Sequence, residues 1–463
     1  MPNQHQRCAS SARTKWILST ITSILIAFVL LALISSRDIF FLITDLGIWL
    51  DDFQKLYTCL GTSGFNACEE ISKFPLGYLI NSILLQPLRA ANGDPRAGMQ
   101  VLQIASLCLP IPAFIACNAK LRTGLGLSAI YLLILALTPL PSFYVNSGAL
   151  EIQSGAFLGM ALIFGFKSLG NPRQEWLFLS NACLLLGCLY KDTLGITFAV
   201  AVILACLISR MDGRGPSTRM LIRTWGPGLI LAIASSLTWN AIRYHNLLPL
   251  GYLEEASLNR PSMQQALMSL WALYLSPNGG LVRFWGCALA VLMFLHSKQL
   301  NRYYFLDLQR ILPITLLLTG VSSMALWWSP FGWVAWGARL SVPFALAAVI
   351  GSLSTLNNSP KGLIHISTIN TEPANRIAFI IAVAATVLLT QSLPYVATGY
   401  IHDHSTLFIE KKETGKTCTE KIIAEMRQQK YGHPNPGVRM WRTRAFWPCI
   451  EDGMRHDPTK LRN

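Results

Sequence analysis

Three carboxylates, Asp45, Asp51 and Asp52, fall within the stretch TDLGIWLDDFQ, directly after a long apolar run. A fourth, Glu151, opens another apolar run in ALEIQSG, and Lys191 and Asp192 fill the short turn between two more. A carboxylate placed near Asp45 can take a proton from an acceptor hydroxyl as general base. Arg243 in WNAIRYHNLLPLGY and Arg339 in WGARLSVP stand at comparable boundaries. Guanidinium presents paired donors that match the oxygens of a phosphate. Trp327, Trp328, Trp333 and Trp336 offer flat apolar faces of the kind that sugars and isoprenoid chains lie against. Base, phosphate clamp and aromatic wall at a lipid–water boundary describe transfer of a sugar from a lipid phosphate.

Each element has a plainer reading. Asp51 and Asp52 also fit solvated loop charges, and Lys191–Asp192 fits a self-neutralising pair in a tight turn. Glu151 would meet the positive end of a helix dipole whatever its role. The tryptophans also fit an interfacial belt, whereas Arg339 opens a span on the side where basic residues are disfavoured.

The elements that must position these residues are membrane helices. Of 463 residues 52% are hydrophobic and 13% charged, about half the charged fraction of a soluble domain. The sequence predicts an all-α, polytopic transmembrane helical bundle of about 11 spans, at 16–36, 99–117, 124–143, 149–166, 174–190, 193–209, 225–243, 281–296, 311–328, 337–354 and 376–396. The segment 74–90 is bracketed by Pro75 and Pro87, leaves too few residues to cross, and is expected to lie at the outer interface. With that segment outside, the 16 basic residues of the N-terminus and inner loops fall on the cytoplasmic side, against 10 outside before residue 397. This agrees with the bias of Lys and Arg towards the cytoplasm. The N-terminus is then cytoplasmic and the C-terminus extracytoplasmic. The chain divides into a transmembrane domain, 1–396, and an extracytoplasmic tail, 397–463, whose 12 basic residues run against the bias. A net charge of +15 would suggest nucleic acid in a soluble chain. Here it reads as topology, and no nucleic-acid partner is expected.

Four of the 11 cysteines, Cys59, Cys68, Cys418 and Cys449, fall in the expected outer compartment, where disulfides persist. The expected pairs are Cys59–Cys68 and Cys418–Cys449, the alternative being four free thiols. The other seven read as packing residues. No CxxC or His cluster has zinc spacing, and no Walker motif is present, which argues against a structural metal and an ATP-driven pump.

Taken together, these residues resemble the GT-C class of integral-membrane glycosyltransferases, in its bacterial members, over about residues 15–350. Asp45 stands where the first outer loop of that class begins with an acid, and Glu151 where a second acid opens the fourth span. WNAIRYHNLLPLGY resembles the element N-x-x-R-[FY]-G-x-P-x-x-x-GY, SPNGGL resembles SPGKGL, and WGARLSVP resembles WGPRYLLP. The chain departs from the pattern at His245, at Asn278-Gly279, where a Lys or Arg is usual, and at Ile152.

The resemblance implies an inverting transfer from a polyprenyl-phosphate sugar to a glycan, lipid or protein acceptor, at the outer face of a bacterial inner membrane. It implies Asp45 as base and Glu151 as second acid, positioning the acceptor or a cation. Arg339 would hold the phosphate with Arg243 assisting, and Tyr252, Asp51, Asp52, Lys191 and Trp336 would complete the binding surface. Members of the class differ in needing a divalent metal, and the residues leave both cases open. The competing reading is a secondary transporter or lipid flippase. Charges cluster at span ends rather than at mid-membrane, which favours the enzyme. A non-catalytic assembly protein on a degenerate scaffold is the third reading.

Overall fold

The computed structural model describes residues 3–35, 76–91, 95–118, 120–138, 144–146, 150–211, 215–244, 246–248, 263–275, 280–297, 307–326 and 339–356. Among them all regular structure is helical: α1 (Asn3–Ser35), α2 (Leu76–Leu84), α3 (Gln86–Ala90), α4 (Pro95–Cys108), α5 (Pro110–Cys117), α6 (Leu121–Ala136), α7 (Glu151–Gly170), α8 (Gln174–Tyr190), α9 (Thr193–Met211), α10 (Thr218–Tyr244), α11 (Met263–Leu275), α12 (Leu281–Ser297), α13 (Leu308–Met324) and α14 (Val342–Thr355), with short 3-10 turns at Tyr144–Asn146 and Arg339–Ser341.

Among the described residues, five segments are long and apolar enough to cross a membrane: Trp16–Leu33, Ala97–Cys117, Glu151–Gly170, Thr193–Met211 and Thr218–Ile242. Helices coincide with ten of the eleven spans expected from sequence, but α6, α13 and α14 are shorter apolar helices. The eleventh span, 376–396, lies outside the described residues. What the described residues establish is an all-helical bundle with five full-length apolar helices.

The surface of that bundle is apolar where a membrane protein would face lipid. Only 11% of the apolar window of α1 is buried, and Ile17, Leu18, Ile21, Leu25, Val29 and Leu33 are all exposed. The hydroxyls of Thr20 and Ser23 donate back to the carbonyls of Trp16 and Ser19, at 2.9 and 2.8 Å, so these two donors are satisfied within the helix. At the other extreme, α7 is 83% buried and packs against α8 and α14 as the axis of the bundle.

Small residues let these helices approach. A Cβ added to Gly155 would lie 2.9 Å from Cα of Pro343, so α7 and α14 touch backbone to backbone, as membrane helices do where packing replaces the hydrophobic drive. Gly155 meets Pro343, Gly159 meets Ile350 and Leu162 meets Gly351, so α7 and α14 run parallel. Gly320 meets Phe344 while Pro313 meets Gly351, so α13 runs antiparallel to both.

Interhelical hydrogen bonds add to the packing. Ser180 of α8 and Trp225 of α10 both donate to the carbonyl of Ala161 in α7, at 3.0 and 3.4 Å. Pro227 interrupts α10, and the next amide, Gly228 N–H, donates to Asn181 Oδ1 of α8 at 2.7 Å. A neighbouring helix thus answers the backbone that proline disturbs.

The segment 74–90 contains two short helices, α2 and α3, parted at Leu85 just before Pro87. At 1.5 Å per residue the nine residues of α2 span roughly 14 Å, far short of a bilayer. One helix lies inside what sequence reading leaves as a long outer loop. In α11, Ala266, Ser269 and Leu273 are buried, and Tyr274 donates to the carbonyl of Leu318 at 3.1 Å, tying α11 to α13. At 13 residues, MQQALMSLWALYL is too short to be found by a search for full-length spans.

Candidate functional site

Helix directions sort the charges into two ends. The start of α7 and the end of α8 share one end, which also receives α2. Trp239, near the end of α10, packs against Leu76 and Leu79 of α2, so the last turn of α10, with the backbone of Arg243, lies at that end. The 3-10 turn Arg339–Ser341 precedes α14, and the parallel run of α7 and α14 places the backbone of Arg339 there as well. The opposite end carries Lys120, Arg122, Lys167, Arg173, Arg210, Arg219, Arg223 and Arg310, with Glu175 and Asp307 as the described acids. Lys167 at that end donates to the carbonyl of Cys117 at 2.8 Å, closing the C-terminus of α5.

At the first end Glu151 and Lys191 meet. Lys191 Nζ donates to Glu151 Oε1 at 3.1 Å, with the two side chains 15% and 5% exposed. Glu151 is the first residue of α7, where the helix dipole favours its negative charge. Lys191 follows the last residue of α8 in an extended conformation, which brings its side chain across to α7. Asp192, its neighbour, turns elsewhere: its Oδ1 accepts from the Thr193 N–H at 2.9 Å and starts α9. The self-neutralising Lys191–Asp192 pair is therefore replaced by an interhelical pair, because only Glu151 sits in a desolvated place that needs a cation.

Beside the ion pair is a polar network absent from the sequence-derived set of site residues. Asn81 of α2 and Gln153 of α7 exchange reciprocal amide hydrogen bonds of 3.0 and 2.9 Å. The Tyr190 hydroxyl of α8 donates to Asn81 Oδ1 at 3.2 Å, and Met99 Sδ lies 3.8 Å from Asn81 Nδ2. Asn81 and Gln153 are buried, and the surrounding shell is apolar: Tyr78, Leu85, Met99 and Leu150, with Phe157 against them. Phe157 stacks on Tyr190 with ring centroids 5.8 Å apart, fixing the direction of the phenol. A Cβ on Gly77 would lie 2.5 Å from Tyr190 Cδ1 and 2.6 Å from its Cα. Glycine at 77 is what lets α2 reach the end of α8. The sequence signal for Asn81 was faint: one amide in the apolar stretch LGYLINSIL.

The arrangement holds the side chains of Glu151 and Lys191 in contact at a largely desolvated rim. Such a pair can orient an acceptor hydroxyl on Glu151 or meet a phosphate with Lys191. Glu151 is engaged by Lys191 and Asp192 by a backbone amide, and no group of three His, Cys, Asp or Glu positioned to hold a metal ion occurs among the described residues.

Asp45, Asp51, Asp52, Tyr252 and Trp336 lie outside the described residues, as do Cys59, Cys68, Cys418 and Cys449. For Arg243 and Arg339 the backbone alone is placed. Cys108, Cys117, Cys183, Cys188 and Cys206 are buried free thiols. The chain matches no family model, no curated protein and no solved structure.

Proposed function

We propose that this chain is an integral-membrane glycosyltransferase of GT-C type, moving a sugar from a polyprenyl-phosphate donor to an acceptor outside the cytoplasm of a bacterial cell. The observation that carries the reading is the meeting of Glu151 and Lys191 at the end of the bundle that also holds the backbone of Arg243 and Arg339. The opposite, basic end is then cytoplasmic by the positive-inside rule.

In this mechanism Asp45 removes the proton of the acceptor hydroxyl. The freed oxygen attacks the anomeric carbon from the face opposite the phosphate, and the bond from that carbon to the phosphate oxygen breaks, with inversion. The electron pair leaves with the polyprenyl phosphate, whose charge Arg339 and Arg243 receive as paired donors. Glu151 orients the acceptor, and the hydrogen bond from Lys191 fixes the direction of its carboxylate. The network of Asn81, Gln153 and Tyr190 fixes the two helices that carry this pair against α2.

The test is incubation of purified full-length protein with a panel of polyprenyl-phosphate sugars and candidate acceptors, following release of the lipid phosphate. Release by the wild type, lost in a folded Glu151→Gln variant, supports the reading. Movement of intact donor across sealed vesicles without any release would make the protein a transporter instead.

A further inference from the structure

The end of the bundle opposite Glu151 holds a cluster of guanidinium groups that sugar transfer does not use. Arg210 lies in the last turn of α9, and its Nη2 donates to Thr218 Oγ1 at the first residue of α10. Arg219 and Arg223 follow on α10, four residues apart and so on one face, and both are exposed. None of these three arginines forms an ion pair with a carboxylate among the described residues; Glu175 begins α8 and Asp307 caps α13. Immediately beside them the surface is apolar: Met211 is 87% exposed, Ile222 60% and Leu207 55%. Three guanidinium groups with no carboxylate partner among the described residues, beside an apolar flank, are complementary to a molecule with a phosphate head and acyl chains.

We propose that this α9–α10 corner binds anionic phospholipid headgroups of the adjoining leaflet. The phosphate would take paired N–H donors from Arg219 and Arg223, with Arg210 held over the first turn of α10 by Thr218 as the third donor. The acyl chains would run down Ile222 and Leu207. A basic side chain near an anionic surface contributes about a fivefold gain in affinity, so three give roughly a hundredfold.

The test uses the full-length protein in a neutral detergent, titrated with phosphatidylglycerol, phosphatidylcholine or inorganic phosphate. Thermal unfolding is read by a maleimide dye that reacts with the buried cysteines as they are exposed. Phosphatidylglycerol should raise the midpoint, while phosphatidylcholine and inorganic phosphate should leave it unchanged. The triple variant Arg210→Gln/Arg219→Gln/Arg223→Gln should need about a hundredfold more phosphatidylglycerol for half the effect. Lys120→Gln/Arg122→Gln, at another part of the same end, should behave as wild type. On the wild type alone, about 1 M salt should abolish the preference through screening. An unchanged response in the triple variant overturns the proposal, as does equal stabilisation by phosphatidylcholine or phosphate, equal loss in the Lys120/Arg122 variant, or a preference that survives high salt.

Discussion

Removing the ammonium of Lys191 should expose how strongly Glu151 depends on it. In Lys191→Met the carboxylate keeps its place at the head of α7, where its side chain is 5% exposed, but loses the contact with the Lys191 ammonium. Breaking a buried pair from one side costs about 3–5 kcal/mol. Lys191 is 15% exposed, so some water can enter in its place, and the lower bound of about 3 kcal/mol applies. Glu151→Gln leaves an ammonium closer to water and an amide that still accepts a hydrogen bond, so about 2 kcal/mol is expected. The double variant buries no charge and should lose only about 3 kcal/mol, less than the sum of roughly 5, an interaction energy of about 2 kcal/mol. Unfolding entropy of about 2.1 cal/mol/K per residue gives a chain of this length about 1 kcal/mol/K, so Lys191→Met should lower the midpoint by about 3 °C. The buried thiols Cys108, Cys117, Cys183, Cys188 and Cys206 supply the signal: a maleimide dye labels them as the bundle opens, and scan rate is held fixed because membrane proteins commonly unfold irreversibly. Additivity of the two single variants to within about 0.5 kcal/mol would refute a coupled pair.

Further outcomes follow from the same geometry. Asn81→Leu strands the amide of Gln153 and the hydroxyl of Tyr190, and should cost about 2 kcal/mol; hydrogen exchange should quicken over α2 while α13 and α14 stay protected. Gly77→Val should loosen the same helix by steric clash with Tyr190, and unchanged exchange over 76–84 would contradict that docking. The outer cysteines should resist maleimide without prior reduction in protein purified from an oxidising compartment, and labelling of both Cys418 and Cys449 would remove their pairing. A cysteine introduced at Thr193 should label from outside intact cells and one at Ser217, exposed just before α10, only after permeabilisation; the reverse pattern would invert the orientation.

What the sequence made legible follows from which signals are one-dimensional. Apolar length and flanking charge are local properties, so α1, α7, α9 and α10 were visible, and basic loops far apart in sequence fall at one end of the bundle. Glu151 stood out because a carboxylate at the start of an apolar helix is conspicuous by itself. Its partner did not, because Lys191 has an acid next to it in sequence, and only the crossing of α7 and α8 shows that Asp192 is used by Thr193 instead. Asn81 and Tyr190 were illegible for the same reason: one amide in an apolar helix and one phenol at a helix end acquire meaning only when three helices meet. The helix α11 is hidden because its 13 residues are too short for a span.

The central claim is that the end of the bundle bearing Glu151 and Lys191 performs sugar transfer with Asp45 as base. Its most direct test is the rate of polyprenyl-phosphate release by the wild type beside Asp45→Asn, matched for folding by unfolding midpoint. The account predicts turnover by the wild type and a loss of at least about a hundredfold in the variant, the lower range for removing a general base. Equal rates in the two proteins, or no release by the wild type from any donor in the panel, would contradict it.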